Sequence, residues 1–175
     1  MSDWFNNITS SEDYAGPLLD CISFFELELE QARKEVNISG SLEKSSASLP
    51  GIVELRYRQL QEIESILEFL TLKFKQAKHK AFKNYFENYN RQLSAKDAEK
   101  YADADEDVLN FAHLINRFAL LRNQFLAIHK ALDIKAYQIS NITKLRTAGL
   151  EDVTIKPVFV SRVKNYDLPD SDMDD

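Results

Sequence analysis

VELRYRQLQEIESILEFLTLKFKQAKHKA, residues 53–81, is the stretch that decides the fold. Val53, Leu60, Ile63, Leu67, Leu70, Phe74, Ala77 and Ala81 recur in alternating steps of three and four, once Arg56 is counted as the one polar intruder on the same line. In an α-helix that spacing places them all on one face, as a heptad seam. The spacing predicts a helix of about 35 residues, roughly 50 Å long, which outruns a compact domain unless another helix or another subunit packs along it.

A second line of the same kind lies further on. Phe111, Leu114, Phe118, Leu121, Phe125, Ile128 and Leu132 also alternate by three and four, so this helix can pair with the first or with its own copies. It is expected to start near Asp103, where Asp105, Glu106 and Asp107 complement the positive end of the helix dipole. Asp133 can cap a further helix from Ile134 to about Ala148, with Ile139 and Ile142 facing inward and Gly149 ending the run. A straight continuation through Asp133 is equally open. Ser94 and Asp97 resemble a capping box for a short helix through about Ala102. Towards the N-terminus, Leu18, Ile22, Phe25 and Leu29 predict a helix from about Pro17 to Val36.

The fold class expected is therefore all-α, with long amphipathic helices forming a helical hairpin or coiled-coil-like unit that oligomerises. Three regions are expected: an acidic N-terminal helix with a Ser-rich linker (1–49, the linker being 37–49), a helical domain for binding and assembly (50–150), and a C-terminal arm with an acidic, disordered tail (151–175). Pro157 interrupts the β-branched run 153–160, which favours an edge strand or extended arm there. The assembly seam is assigned to Leu60, Ile63, Leu67, Leu70, Phe74, Phe111, Phe118, Phe125, Ile139 and Ile142.

Charge is divided unevenly along the chain. The 175 residues carry 22 Lys and Arg against 28 Asp and Glu. Residues 51–150 are nevertheless net positive and the two ends strongly acidic. The single Cys21 excludes an intramolecular disulfide, and His79, His113 and His129 form no Cys/His cluster at metal-ligand spacing, so no metal or cofactor is expected. Glu62 with Glu64, or Asp103 with Asp105 and Asp107, lack the histidines or glycine-bearing loop that would make them catalytic or calcium sites. No phosphate-cradling Gly-rich loop occurs, and no apolar run approaches the ~20 residues of a membrane span. A non-enzymatic cytoplasmic protein is the expectation.

Between Glu68 and Glu87 there is no carboxylate at all, while Lys73, Lys75, Lys78, Lys80 and Lys83 crowd among Phe74, Phe82, Tyr85 and Phe86. On a helix, Lys75, Lys78, Phe82, Phe86 and Tyr89 share one face, with Lys73 and Lys80 on the other flank of the seam. Ammonium groups can follow phosphates and flat rings can stack on unpaired bases, so the pattern points to single-stranded DNA or RNA. A solvated lysine rim around core aromatics explains the same pattern. Arg117, Arg122, Lys130, Lys135, Lys144 and Arg146 add positive charge to the later helices and are read as ordinary surface residues. The acidic run 167–175 suits a solubilising tail, a dock for basic partners, or a competitor for the chain's own lysines.

Lys80-Ala81-Phe82-Lys83-Asn84-Tyr85-Phe86, followed by the order Ala95 to Val108 and then Ala136-Tyr137-Gln138-Ile139 through Ala148-Gly149, resembles the UvsY recombination mediators of T-even-like bacteriophages. The resemblance spans roughly residues 50–150. It implies an all-helical, ring-forming protein that binds single-stranded DNA and helps a RecA-like recombinase displace single-strand-binding protein. It also implies that Lys80 and Lys83, with Lys78 adjacent, contact DNA. The alternative reading is a coiled-coil adaptor whose basic helix binds an acidic protein partner.

Overall fold

The computed structural model describes residues 3–11, 13–88 and 93–150. They fold into α1 (Trp4–Ser10), α2 (Ala15–Glu35), α3 (Leu42–Asn88), α4 (Ala95–Asp103) and α5 (Glu106–Thr147), with no strand among the described residues. The arm and tail expected at 151–175 lie outside them. Among the described residues no helix is long and apolar enough to cross a membrane.

α3 and α5 lie side by side in opposite directions: Leu49 and Pro50 border the same groove as Ile139 and Thr143, the Tyr57 ring sits 5.6 Å from that of His129, and Lys78 meets Asp103. The two heptad lines of the sequence are what face each other. Leu60, Ile63, Ile66 and Leu70 from α3 and Phe118, Leu121, Phe125 and Leu132 from α5 are buried in one continuous core. α2 closes that core as a third layer through Leu18, Cys21, Ile22, Phe25, Leu29 and Ala32. Phe25 meets Phe125 edge to face at 5.9 Å. Each buried Leu, Ile or Phe contributes about 1.5–3 kcal/mol of transfer free energy. Short α1 is held by the fully buried Ile8 and by the Trp4 backbone N–H, which donates to the Glu62 carboxylate.

The seam assigned to assembly is thus occupied within the chain. Leu60, Ile63, Leu70, Phe118, Phe125 and Ile139 are buried in the intrachain core, Leu67, Phe111 and Ile142 pack half-buried against it, and Phe74 belongs to a second cluster near α4. Antiparallel helices of matched length, with α2 as a lid, cover one another more completely than the spacing alone predicts.

The Ser-rich stretch before Pro50 is not a linker. α3 begins at Leu42, so it is 47 residues long, about 70 Å at 1.5 Å per residue. Ser41 caps it by accepting from the Lys44 N–H at 3.3 Å, and Leu42, Ser45 and Leu49 extend the buried line one heptad upstream. Pro50 interrupts one backbone bond, but it lies on the exposed side, where water can reach the orphaned carbonyl. The chain reverses between α2 and α3 at Gly40, whose φ of +74° is open to glycine without strain.

α5 starts two residues later than expected, on Asp105, whose carboxylate accepts from the Asp107 N–H at 3.2 Å. It runs unbroken through Asp133, which is exposed and pairs with His129 at 3.6 Å. Gly149 does end it: with φ +71° it donates to the Arg146 carbonyl while Leu150 donates to that of Leu145, the paired bonds of a Schellman motif.

Arg56, the polar intruder of the seam, is almost wholly buried. Its Nε and Nη2 donate to the two Glu35 oxygens at 2.8 and 2.7 Å, and its Nη1 donates to Glu28 at 2.6 Å and to the Gln59 carbonyl oxygen at 2.8 Å. Gln59 donates in turn to Glu28 at 2.8 Å. Beside them Lys135, read from sequence as a surface charge, is buried and donates to the Glu35 and Asn37 carbonyls at 2.6 and 3.0 Å, serving the negative end of α2. Leu132, Lys135 and Ile139 sit at seam spacing, which was the signal for its burial.

Burial would raise the Glu28 pKa, but hydrogen bonds from Gln59 and Arg56, with the Arg56 charge, hold it below its ordinary 4.5. A depressed carboxylate stabilises the fold fully above pH 4.5 and loses that contribution as pH falls through its folded-state pKa. Urea unfolding should therefore show stability falling below that pH, and Arg56→Ala, which strands two carboxylates, should cost about 3–5 kcal/mol at neutral pH. Burial, with Glu62 nearby, pushes the Cys21 thiol up. A thiol reagent should accordingly modify Cys21 only when the protein unfolds.

Candidate nucleic-acid interface

The carboxylate-free stretch forms the last third of α3, where the helix turns one side to α4 and α5 and the other to solvent. Ala81 with Ala102 and Val108 makes a small buried cluster, onto which Phe74, Ala77, Phe82 and Tyr85 pack. Ala98 and Ala102 are fully buried, and their small side chains let α4 approach α3 closely. Ser94 starts α4 by accepting from the Asp97 N–H at 3.2 Å while its hydroxyl donates to the Asp97 carboxylate at 2.7 Å.

The outward side presents Lys75, His79, Lys80, Lys83 and Phe86, all exposed. None of these three lysines has an ion-pair partner among the described residues. Phe86, 49% exposed, stacks on half-buried Phe82 with ring centres 5.7 Å apart and planes 10° from parallel. Next to this pair, Lys75, Lys78, His79, Phe82, Lys96 and Glu99 line an open groove of about 570 Å³ between α3 and α4. Its wall is a flat ring and its rim is three ammonium groups with one carboxylate. That combination accepts a planar group against Phe82 with anionic oxygens alongside.

Other members of the expected stripe are placed differently. Lys78 reaches Asp103 at 2.6 Å and Glu99 at 3.9 Å. The hydrogen bond that Lys78 donates to Asp103 raises its pKa above 10.5, with both carboxylate charges adding to this. Lys73 lies on the opposite flank, its Nζ 5.6 Å from the Tyr14 ring centre and 5.3 Å from that of Phe69. Tyr85 is half-buried, with its ring 5.7 Å from Tyr101 and its hydroxyl 3.4 Å from Asp105, so it is part of the helix corner and not an open stacking surface. Tyr89 lies outside the described residues.

The open basic face thus consists of Lys75 and Lys83 with Phe82 and Phe86, joined by His79 and Lys96, while Lys80 is exposed on the other flank of the seam. Lys96 had no periodic signal, because its place beside the groove depends on how α4 folds back. Asp103 reads in the sequence as a helix start and a rejected metal or catalytic acid, and Glu99 carries no role of its own there, while in the fold both supply the carboxylates that this part of α3 lacks. Comparison with known proteins identifies no relative: no family model, curated protein or solved structure matches the chain.

Asp103→Asn should release Lys78, and its pKa, followed by NMR titration of the side chain, should drop back towards 10.5 while the helical content stays unchanged.

Proposed function

We propose that the chain is a non-enzymatic binder of single-stranded nucleic acid that works as a recombination mediator, helping to load a RecA-like recombinase in place of single-strand-binding protein. The observation that carries the reading is the exposed, carboxylate-free stretch of α3 between Glu68 and Glu87, where Lys75 and Lys83 stand unpaired on the side of the stacked Phe82 and Phe86, with Lys80 exposed and unpaired on the other flank. Phosphates of a flexible strand follow the lysines, and an unpaired base rests on the exposed Phe86 or enters the α3–α4 groove. A duplex keeps its bases stacked internally and can use only the charges. The mediator role itself rests on the resemblance to the UvsY proteins, which spans roughly residues 50–150.

A second reading draws on Lys78. Its pairing with Asp103 and Glu99 means that this face already accepts carboxylates, so an acidic segment of a protein partner could occupy the same lysines. An adaptor of that kind would need no base stacking.

Fluorescence anisotropy with oligo-dT and a duplex of equal length separates the two. Preference for the single strand is expected, with log K falling against log salt at roughly −0.7 per phosphate contact. Substituting Lys75, Lys80 and Lys83 by Ala should weaken binding about 10- to 100-fold, and Phe86→Ala should cost about 1–3 kcal/mol. A variant lacking Phe86 that binds oligo-dT as tightly as the wild type would favour the adaptor.

A further inference from the structure

α5 has two apolar faces, and the fold uses one of them. The buried face runs through Phe118, Phe125 and Leu132. On the opposite side Asn116, Leu120, Asn123, Ala127, Lys130 and Ile134 succeed one another in steps of four and three, and all are exposed. Tyr137 continues the line and is 69% exposed, beside Leu120 at 59% and Ile134 at 51%. From Val108 to Thr147 the helix holds a single carboxylate, Asp133, and that one pairs with His129. A helix face kept for solvent normally mixes both signs of charge. This one is a heptad seam of apolar, small and amide side chains with one lysine.

We propose that a second copy of this chain packs along the outward face of α5, the two α5 helices running parallel and in register. The periodicity demands a helix as occupant, since steps of four and three match another helix and neither a strand nor a flat surface. The line from Asn116 to Tyr137, extended to the exposed Leu145, is roughly 45 Å long, and a helix pair of that length covers on the order of 800 Å² per partner, the size of a stable interface.

The asparagines choose the orientation. In a parallel, in-register pair Asn116 faces Asn116 of the second copy and Asn123 faces Asn123, so each amide donates to and accepts from its equal. In an antiparallel pair centred on the same line, Asn123 would face Gln138 and Asn116 would face Leu145, which leaves the Asn116 amide without a polar partner. Lys130 meets its own copy in either case and lays its aliphatic stem along the seam with the ammonium reaching outward. It costs stability and leaves the choice to the asparagines. This inference stands apart from the nucleic-acid reading, because the lysine face belongs to α3 and the seam to the outward face of α5.

Sedimentation or light scattering of the full chain at tens of micromolar is expected to give an assembly that Ile134→Glu and Leu120→Glu each break down, with the helical content of the subunit unchanged because both side chains are more than half exposed. Asn123→Cys is expected to form a covalent dimer on mild oxidation, against a wild-type background kept silent by the buried Cys21. A monomeric wild type, or an assembly that Ile134→Glu leaves intact, overturns the interface. Linkage only in the Asn123→Cys, Gln138→Cys double variant overturns the parallel register. Binding of a short oligonucleotide by Ile134→Glu should match the wild type per subunit, so failure of either proposal is visible without the other.

Discussion

The buried guanidinium of Arg56 is the interaction on which the arrangement of the helices depends. An apolar seam alone tolerates sliding by a heptad, because one Leu or Ile replaces another with little loss. Arg56 does not, since it needs Glu35 across two parallel bonds and Glu28 and Gln59 beside them, all from fixed turns of α2 and α3. Lys135 ties α5 to the same point by taking up the last carbonyls of α2. At the other end of α2, Tyr14 lies against Phe69 and Phe111, again one residue from α3 and one from α5. The two clusters set the position of α2 along both long helices, and α1 is carried with it.

Holding α3 and α5 in register has an electrostatic consequence at the far end of the molecule. The short turn between α4 and α5 lays α4 against the last turns of α3, where Ala98 and Ala102 allow close contact. Glu99 and Asp103 then meet Lys78, while Lys75, Lys80 and Lys83 remain on the solvent side. The basic stripe becomes two regions: an edge compensated by α4, and an open face with exposed Phe86. Carboxylates on the edge also limit how far an anion can spread across α3, which keeps the positive charge concentrated next to the groove.

The faces of the long helices divide the remaining tasks. The inner lines of α3 and α5 are consumed by the core, so whatever joins copies of this chain must use another surface. The outward side of α5, with its regular spacing and Lys130 as the one charge on its line, is the surface proposed for such a contact. Were copies to join along α5 as proposed, several lysine faces would be presented together, and linked sites can raise avidity by ~10²–10⁴ if one strand reaches them.

Much of this was legible in the chain itself, because heptad spacing, cap residues and helix-ending glycine are local signals. The lines from Val53 and from Phe111, the Ser94 cap and the Gly149 terminus were read directly from spacing and residue type. Other features were decided by tertiary structure. Pro50 and the serines before it look like a break, yet Leu42 and Leu49 reach the core and carry the helix through them. Arg56 looks like a polar intruder in an apolar seam and Lys135 like an exposed cation until α2 brings carboxylates and carbonyls from roughly 20 and 100 residues away. Tyr85 and Phe86 are equivalent in sequence, and only the position of α4 sends one inward and leaves the other open. Periodicity specifies which residues share a face; which face meets protein and which meets solvent is a property of the neighbours that the fold supplies.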